Sequence, residues 1–143
     1  AEAGLARLGK RVPRDLMTDA FLYAAGHGAL ALHARTEDRD IGDIFASVHD
    51  RHTAMAVAAE RAFLRALGAG CYAAVGVRHV VSDGTMYMTG AVWSHDGQSE
   101  VRHAVNGTVE EPDRFGTELA KRILDDGGGS LLAPQITGSR ETP

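Results

Sequence analysis

The single cysteine of this 143-residue chain, Cys71, sits where a thiol could do chemistry. It follows Leu67-Gly68-Ala69-Gly70, a helix end marked by two glycines that accept positive φ without penalty. A thiol delivered there into a loop would be exposed, and as a thiolate it would be a soft nucleophile. The same residue also reads as a small buried apolar side chain beside a strand, and periodicity alone does not decide between the two. One cysteine forms no internal disulfide, and it cannot build a zinc site that needs two or more thiolates. Among the seven histidines, His49 and His52 stand three apart and could share a helical face, but HExxH spacing and a third ligand are missing. His27, His33, His79, His95 and His103 are scattered, so no structural metal is expected. Gly26-His27-Gly28 lacks the third glycine and the following helix of a dinucleotide loop, and reads instead as a tight strand-to-strand turn. A pairing of Cys71 with a histidine for nucleophilic catalysis stays open, because no feature selects the histidine.

The elements that would position these groups follow from spacing. Residues 1–9 read as the end of a helix with Gly9 as its C-cap, and residues 10–19 as a polar connection. The apolar runs 20–25 and 28–34 suit buried strands on either side of the glycine turn. Thr36-Glu37-Asp38 can cap a helix in which Ile41, Ile44, Phe45 and Val48 recur at helical spacing. A longer helix is predicted from His52 to Leu67. Its stripe is Met55, Ala58, Ala59, Ala62, Phe63, Ala66 and Leu67, with Arg51, Glu60, Arg61 and Arg65 facing water. Strands are predicted over 72–81, 85–93 and 98–107, joined through Ser82-Asp83-Gly84 and His95-Asp96-Gly97, since Asp-Gly is a strong hairpin signal. A last helix from Pro112 to Asp126 turns Phe115, Leu119, Ile123 and Leu124 inward and stops at Gly127-Gly128-Gly129, leaving a polar tail from Thr137. Helix, three antiparallel strands and helix make an α+β module, preceded by what reads as the end of an α/β layer.

Composition limits the function classes. With 44% hydrophobic and 24% charged residues the chain resembles an average globular domain. A net charge of −4 provides no basic footprint for nucleic acid, and no apolar run reaches the roughly eighteen residues of a membrane span. The opening residues lack the pattern of a secretory signal, and with a lone cysteine this leads to the expectation of a cytoplasmic protein. Starting at Ala1 inside a helical pattern, with no cap, leads to the expectation of a piece of a longer protein.

Several stretches occur in a telling order: Ala3-Gly4-Leu5-Ala6-Arg7-Leu8-Gly9, Ala24-Ala25-Gly26-His27-Gly28-Ala29-Leu30, Ala59-Glu60-Arg61-Ala62-Phe63-Leu64 and Leu67-Gly68-Ala69-Gly70-Cys71. With Asp96-Gly97 to Arg102 and Leu124-Asp125-Asp126-Gly127-Gly128, the chain from Ala1 to about Ala133 resembles the hydroxymethylbilane synthases, also called porphobilinogen deaminases. No single motif is decisive; the ordered set is specific.

The resemblance implies a three-domain enzyme of which this is the C-terminal portion. Residues 1–46 would end the second domain, 47–137 would form the third, a three-stranded sheet covered by helices, and 138–143 a tail. Cys71 occupies the position of the cysteine that carries a dipyrromethane cofactor through a thioether. Arg7 matches an active-site arginine, and His27-Gly28 falls where the family has a Gln-Gly pair lining the cofactor. The substrate, porphobilinogen, is a pyrrole with acetate and propionate arms. Loss of ammonia makes it an electrophilic azafulvene open to a thiolate, and its carboxylates suit arginine. The family's catalytic aspartate lies upstream, so no catalytic residue is expected in this chain, which alone would be inactive and would need the missing N-terminal domains as partners. Family residues are replaced at Tyr23, His27, His33, Tyr72 and Ala74, around the cofactor region. The alternative reading is therefore a divergent, non-catalytic α+β binding module with the same fold, and a weaker third is a cysteine hydrolase.

Overall fold

The computed structural model describes residues 7–9, 21–70 and 73–132. Two helices, α1 (Arg39–Ser47) and α2 (Arg51–Leu67), precede a sheet of β1 (Val75–Ser82), β2 (Thr85–Trp93) and β3 (Glu100–Thr108). Two further helices, α3 (Pro112–Asp125) and α4 (Gly128–Leu132), complete the order. The sheet is antiparallel in the order β1-β2-β3, with Ser82 facing Thr85 and Trp93 facing Glu100. This is the predicted α+β module.

The sheet register follows from its turns. Asp83 and Gly84 both hold positive φ, at 50° and 73°, as a two-residue turn matched to strand twist requires. The second connection is longer, from Ser94 to Ser99. Asp96 organises it by accepting from the Ser94 hydroxyl at 2.6 Å and the Gln98 amide at 3.1 Å, which holds its carboxyl below the usual range. At its far end Arg102, helped by the Trp93 indole N–H, lowers the Glu100 carboxyl in the same way.

Alternation divides the faces of the sheet. Val77, Met86, Met88, Val92 and Val105 turn toward the helices and join Phe63, Leu119 and Ile123 in the core. Burial of each such side chain contributes about 1.5–3 kcal/mol. On the other face Val80 and Tyr87 remain exposed. Helices α2 and α3 lie so close that Gly116 packs directly on Ala59, Ala62 and Phe63. Asp50 caps α2 by accepting the Thr53 N–H at 2.6 Å, and these bonds hold its carboxyl below the ordinary value.

Several expectations need correction. Of the predicted strands 20–25 and 28–34, the described residues 21–25 and 28–34 do not form strands. Among the described residues, only Tyr23 bridges to Val77, and Leu30 and Leu32 are exposed. An apolar run becomes a strand only where a neighbour supplies the ladder, and among the described residues none pairs with residues 29–34. The predicted end of an α/β layer is therefore not seen among the described residues. In α1 no residue is fully buried: Ile41, Ile44 and Val48 of the stripe are exposed and Phe45 is half-buried. His49 lies between α1 and α2 and His52 in the first turn of α2, so the pair does not share a helix. Leu124 is exposed, and the triple glycine ends α3 only to begin α4, with Gly127 at a φ of 87°. Glu60, predicted to face water, is buried. Arg7 is helical and Gly9 has a φ of 67°, in keeping with a helix ending there. The other residues of 1–20 and the tail from residue 133 lie outside the described residues.

Candidate active site

Tyr23 joins the outer edge of β1 through an isolated bridge. Tyr23 N–H donates to Val77 O at 3.0 Å and Val77 N–H returns a bond to Tyr23 O at 2.8 Å. The bridge is antiparallel, so the chain beyond Tyr23 heads toward the start of β1. It then folds through two overlapping turns, closed by His27 N–H to Ala24 O and Ala29 N–H to Gly26 O, each 3.1 Å. Gly26 and Gly28 take φ of 77° and 87°, a region a side chain rarely adopts. The turn predicted at Gly26-His27-Gly28 is thus present without the strands predicted to flank it. His27 is exposed at its apex and stacks on Tyr23, ring centroids 4.9 Å apart and planes 6° from parallel.

A buried carboxylate ties this turn to the helices. Glu60 of α2 accepts the Gly26 N–H on Oε2 at 2.6 Å, while His79 Nδ1 of β1 lies 2.7 Å from Oε1. The Glu60 side chain is 7% exposed and that of His79 33%. An ionised carboxylate is purely an acceptor, so the His79 proton at this contact sits on Nδ1, leaving Nε2 as the free ring nitrogen when the imidazole is neutral. Two donors, one per oxygen, compensate the loss of hydration that would otherwise make a buried carboxylate expensive.

Neither partner was expected at a site, although both carried a signal. Ala56, Glu60, Phe63 and Leu67 follow one another at steps of four, three and four, so Glu60 lies in the buried stripe of α2. His79 has the parity of Val75, Val77 and Val81, which turns it toward the helices.

Of the predicted residues, His27 and Gly28 share the turn. Arg7 is exposed, and among the described residues no hydrogen bond or ion pair joins it to them. Cys71 lies outside the described residues. On its N-terminal side α2 ends at Leu67 and is capped by Gly68, with φ of 64°, and the Gly70 carbonyl accepts the Ala73 N–H at 3.1 Å. Elsewhere, a groove of about 470 Å³ runs between β3 and α3, but its Arg114 and Arg122 are already paired with Glu111 and Glu118. Among the described residues no three His, Cys, Asp or Glu side chains gather as a metal site would need, and no helix is long and apolar enough to cross a membrane.

Comparison with known proteins shows the family. Residues 54–125 match the family model described as porphobilinogen deaminase, C-terminal domain, and residues 1–43 match the one described as porphobilinogen deaminase, dipyromethane cofactor binding domain. The chain is similar to the porphobilinogen deaminase of Prochlorococcus marinus strain MIT 9215, 36% identical over 99% of this chain and 45% of the relative. It is also similar to that of Thermus thermophilus, 42% identical over 93% of this chain and 45% of the relative. The Deinococcus radiodurans porphobilinogen deaminase is 39% identical over 92% of this chain and 43% of its own length. The chain therefore spans somewhat less than half the length of these relatives. With the two models following one another along the sequence, and the sheet and helices of the second folded as described, this chain belongs to the porphobilinogen deaminase family.

Proposed function

We propose that this chain is the C-terminal portion of a hydroxymethylbilane synthase. That transferase joins four porphobilinogen units head to tail with loss of ammonia, in the tetrapyrrole and haem pathway. The observation that carries the reading is the succession of a cofactor-binding model and a C-terminal model along one chain, the second spanning its lone cysteine. On this reading residues 1–46 end one domain, 47–137 form the next and 138–143 are a tail.

The residues present fit a dipyrromethane in kind. Tyr23 and His27 offer an exposed pair of parallel rings against which a flat pyrrole can lie. The His27 imidazole can donate to a carboxylate arm, and a Cβ on Gly28 would meet nothing within 4 Å, so that side of the turn is open to a ligand. When bound, the dipyrromethane supplies the pyrrole carbon from which the product grows. In this reading Cys71 holds it through sulfur, His27 and Gly28 line it, and Arg7 pairs with a carboxylate. Thioether formation at Cys71 needs a thiolate, which favours a reducing compartment such as the cytoplasm. The proton chemistry of the reaction is assigned to the remainder of the enzyme, so the chain alone is expected not to turn over porphobilinogen.

Intact mass measurement of the chain purified from cells, with peptide mapping, tests this. One added dipyrromethane on Cys71, absent from Cys71→Ser, is the expected result. A bare thiol in the chain and in a version completed with the upstream domains would overturn it in favour of a non-catalytic module of the same fold.

A further inference from the structure

We infer that Glu60 is a positioning residue for the turn bearing His27 and Gly28, an inference that rests on reading this turn as part of the cofactor site. Among the described residues Glu60 is the one buried charged side chain, and its two oxygens serve different elements. Oε2 holds the Gly26 N–H, the residue before His27, and Oε1 holds His79 in β1. Among the described residues the other hydrogen bonds of residues 24–29 are local to the turn, so beside the packing of Ala25 on the core it is the Gly26 bond that fastens the turn to the helical layer. The same helix leads toward Cys71. About 10 Å of helix, at roughly 1.5 Å per residue, separates Glu60 from Leu67, where α2 ends three residues before Gly70. One carboxylate thus sets the turn relative to the segment that precedes the thiol. His79 is the counterweight: by occupying Oε1 it keeps the carboxylate from rotating away from Gly26. Replacing Glu60 with an apolar residue would preserve the packing of α2 and lose the fastening, which separates positioning from filling.

The test uses the ¹⁵N-labelled chain with Glu60→Ala, Glu60→Gln and His79→Ala. In Glu60→Ala the Gly26 amide is expected to exchange at least about ten-fold faster, as loss of a charge-assisted bond implies, while amides of β2 and β3 keep their protection. In Glu60→Gln the side-chain carbonyl still accepts from Gly26, whereas its NH₂ now donates to His79, so the ring moves to the Nε2–H tautomer in its nitrogen spectrum. Unchanged Gly26 exchange in a folded Glu60→Ala variant would overturn the inference. If that variant does not fold, an unaltered His79 tautomer in Glu60→Gln, together with unchanged Gly26 exchange in His79→Ala, would overturn it instead. The fraction of purified chain carrying mass on Cys71 supplies the second readout. Loading in the wild type that falls several-fold in Glu60→Ala supports positioning, and equal loading refutes it. Absence of loading in the wild type and in its completed form refutes the cofactor reading, and with it the functional role of Glu60, whatever the exchange data say of the turn.

Discussion

Replacing Gly116 with alanine tests the helix packing that fixes Glu60. In an exposed helix interior, glycine to alanine stabilises by about 1 kcal/mol, because alanine restricts the unfolded chain and favours helix. At Gly116 the new methyl would overlap the Ala59 carbonyl oxygen and lie 2.5 Å from the Phe63 nitrogen and 2.8 Å from the Ala62 Cβ. Two of these atoms are α2 backbone, so no side-chain rotation relieves the overlap; α3 would have to move away from α2 and open the contact around Phe63. Overpacking of this kind costs about 1–3 kcal/mol and sometimes more, and a backbone clash belongs at the upper end. The net expectation is destabilisation by about 2 kcal/mol, a fall in the urea midpoint of roughly 1 M at an m-value of about 2 kcal/mol per molar. Gly42 is the control, since it also lies within a helix but a methyl there would meet nothing within 4 Å. Gly42→Ala should raise the helical signal and leave the midpoint no lower. A Gly116→Ala midpoint equal to or above the wild type, with an unchanged m-value, would refute the close-packed α2–α3 contact.

Gly84→Ala should destabilise by about 1–2 kcal/mol in the same assay, because its φ of 73° places a Cβ against the following carbonyl. Asp50 provides a pH signature. Its folded pKa is depressed, by the Thr53 backbone N–H first, so its contribution is present above the unfolded carboxylate pKa and disappears as pH falls through the lower folded value. Helicity followed by circular dichroism during acid titration should lose that component in Asp50→Asn, which keeps an acceptor oxygen and does not ionise.

The sheet and its two covering helices were legible because several signals agreed there. Asp83-Gly84 demanded a two-residue turn, alternation ran through Met86 and Met88, and the stripe read in α2 shares Ala59, Ala62, Phe63 and Leu67 with the buried face. Residues 20–34 were misread because a run such as Phe21-Leu22-Tyr23-Ala24-Ala25 encodes burial without saying against what. Its one bridge depends on β1, more than fifty residues away in sequence. Glu60 was misread for the opposite reason: its type argued for water while its position argued for the core, and position prevailed because Gly26 and His79 meet its carboxylate. That pairing is tertiary and could not be read from either segment alone. The family itself was legible from ordered short stretches, whereas roles for Arg7, His27, Gly28 and Cys71 rest on that family rather than on their local spacing.

The meander has a consequence for how the molecule forms. Each strand pairs with its neighbour in the chain, so the sheet can assemble by two hairpin closures spanning short loops. The α2–α3 contact instead joins segments on either side of the whole sheet, a closure with the larger entropy cost. Docking of α3 is therefore the event expected to limit the folding rate. Until it happens, the apolar face bearing Met86, Met88 and Val92 lacks half of its cover, so a newly made chain is most open to misassociation in the interval between the appearance of β3 and that of Leu119 and Ile123.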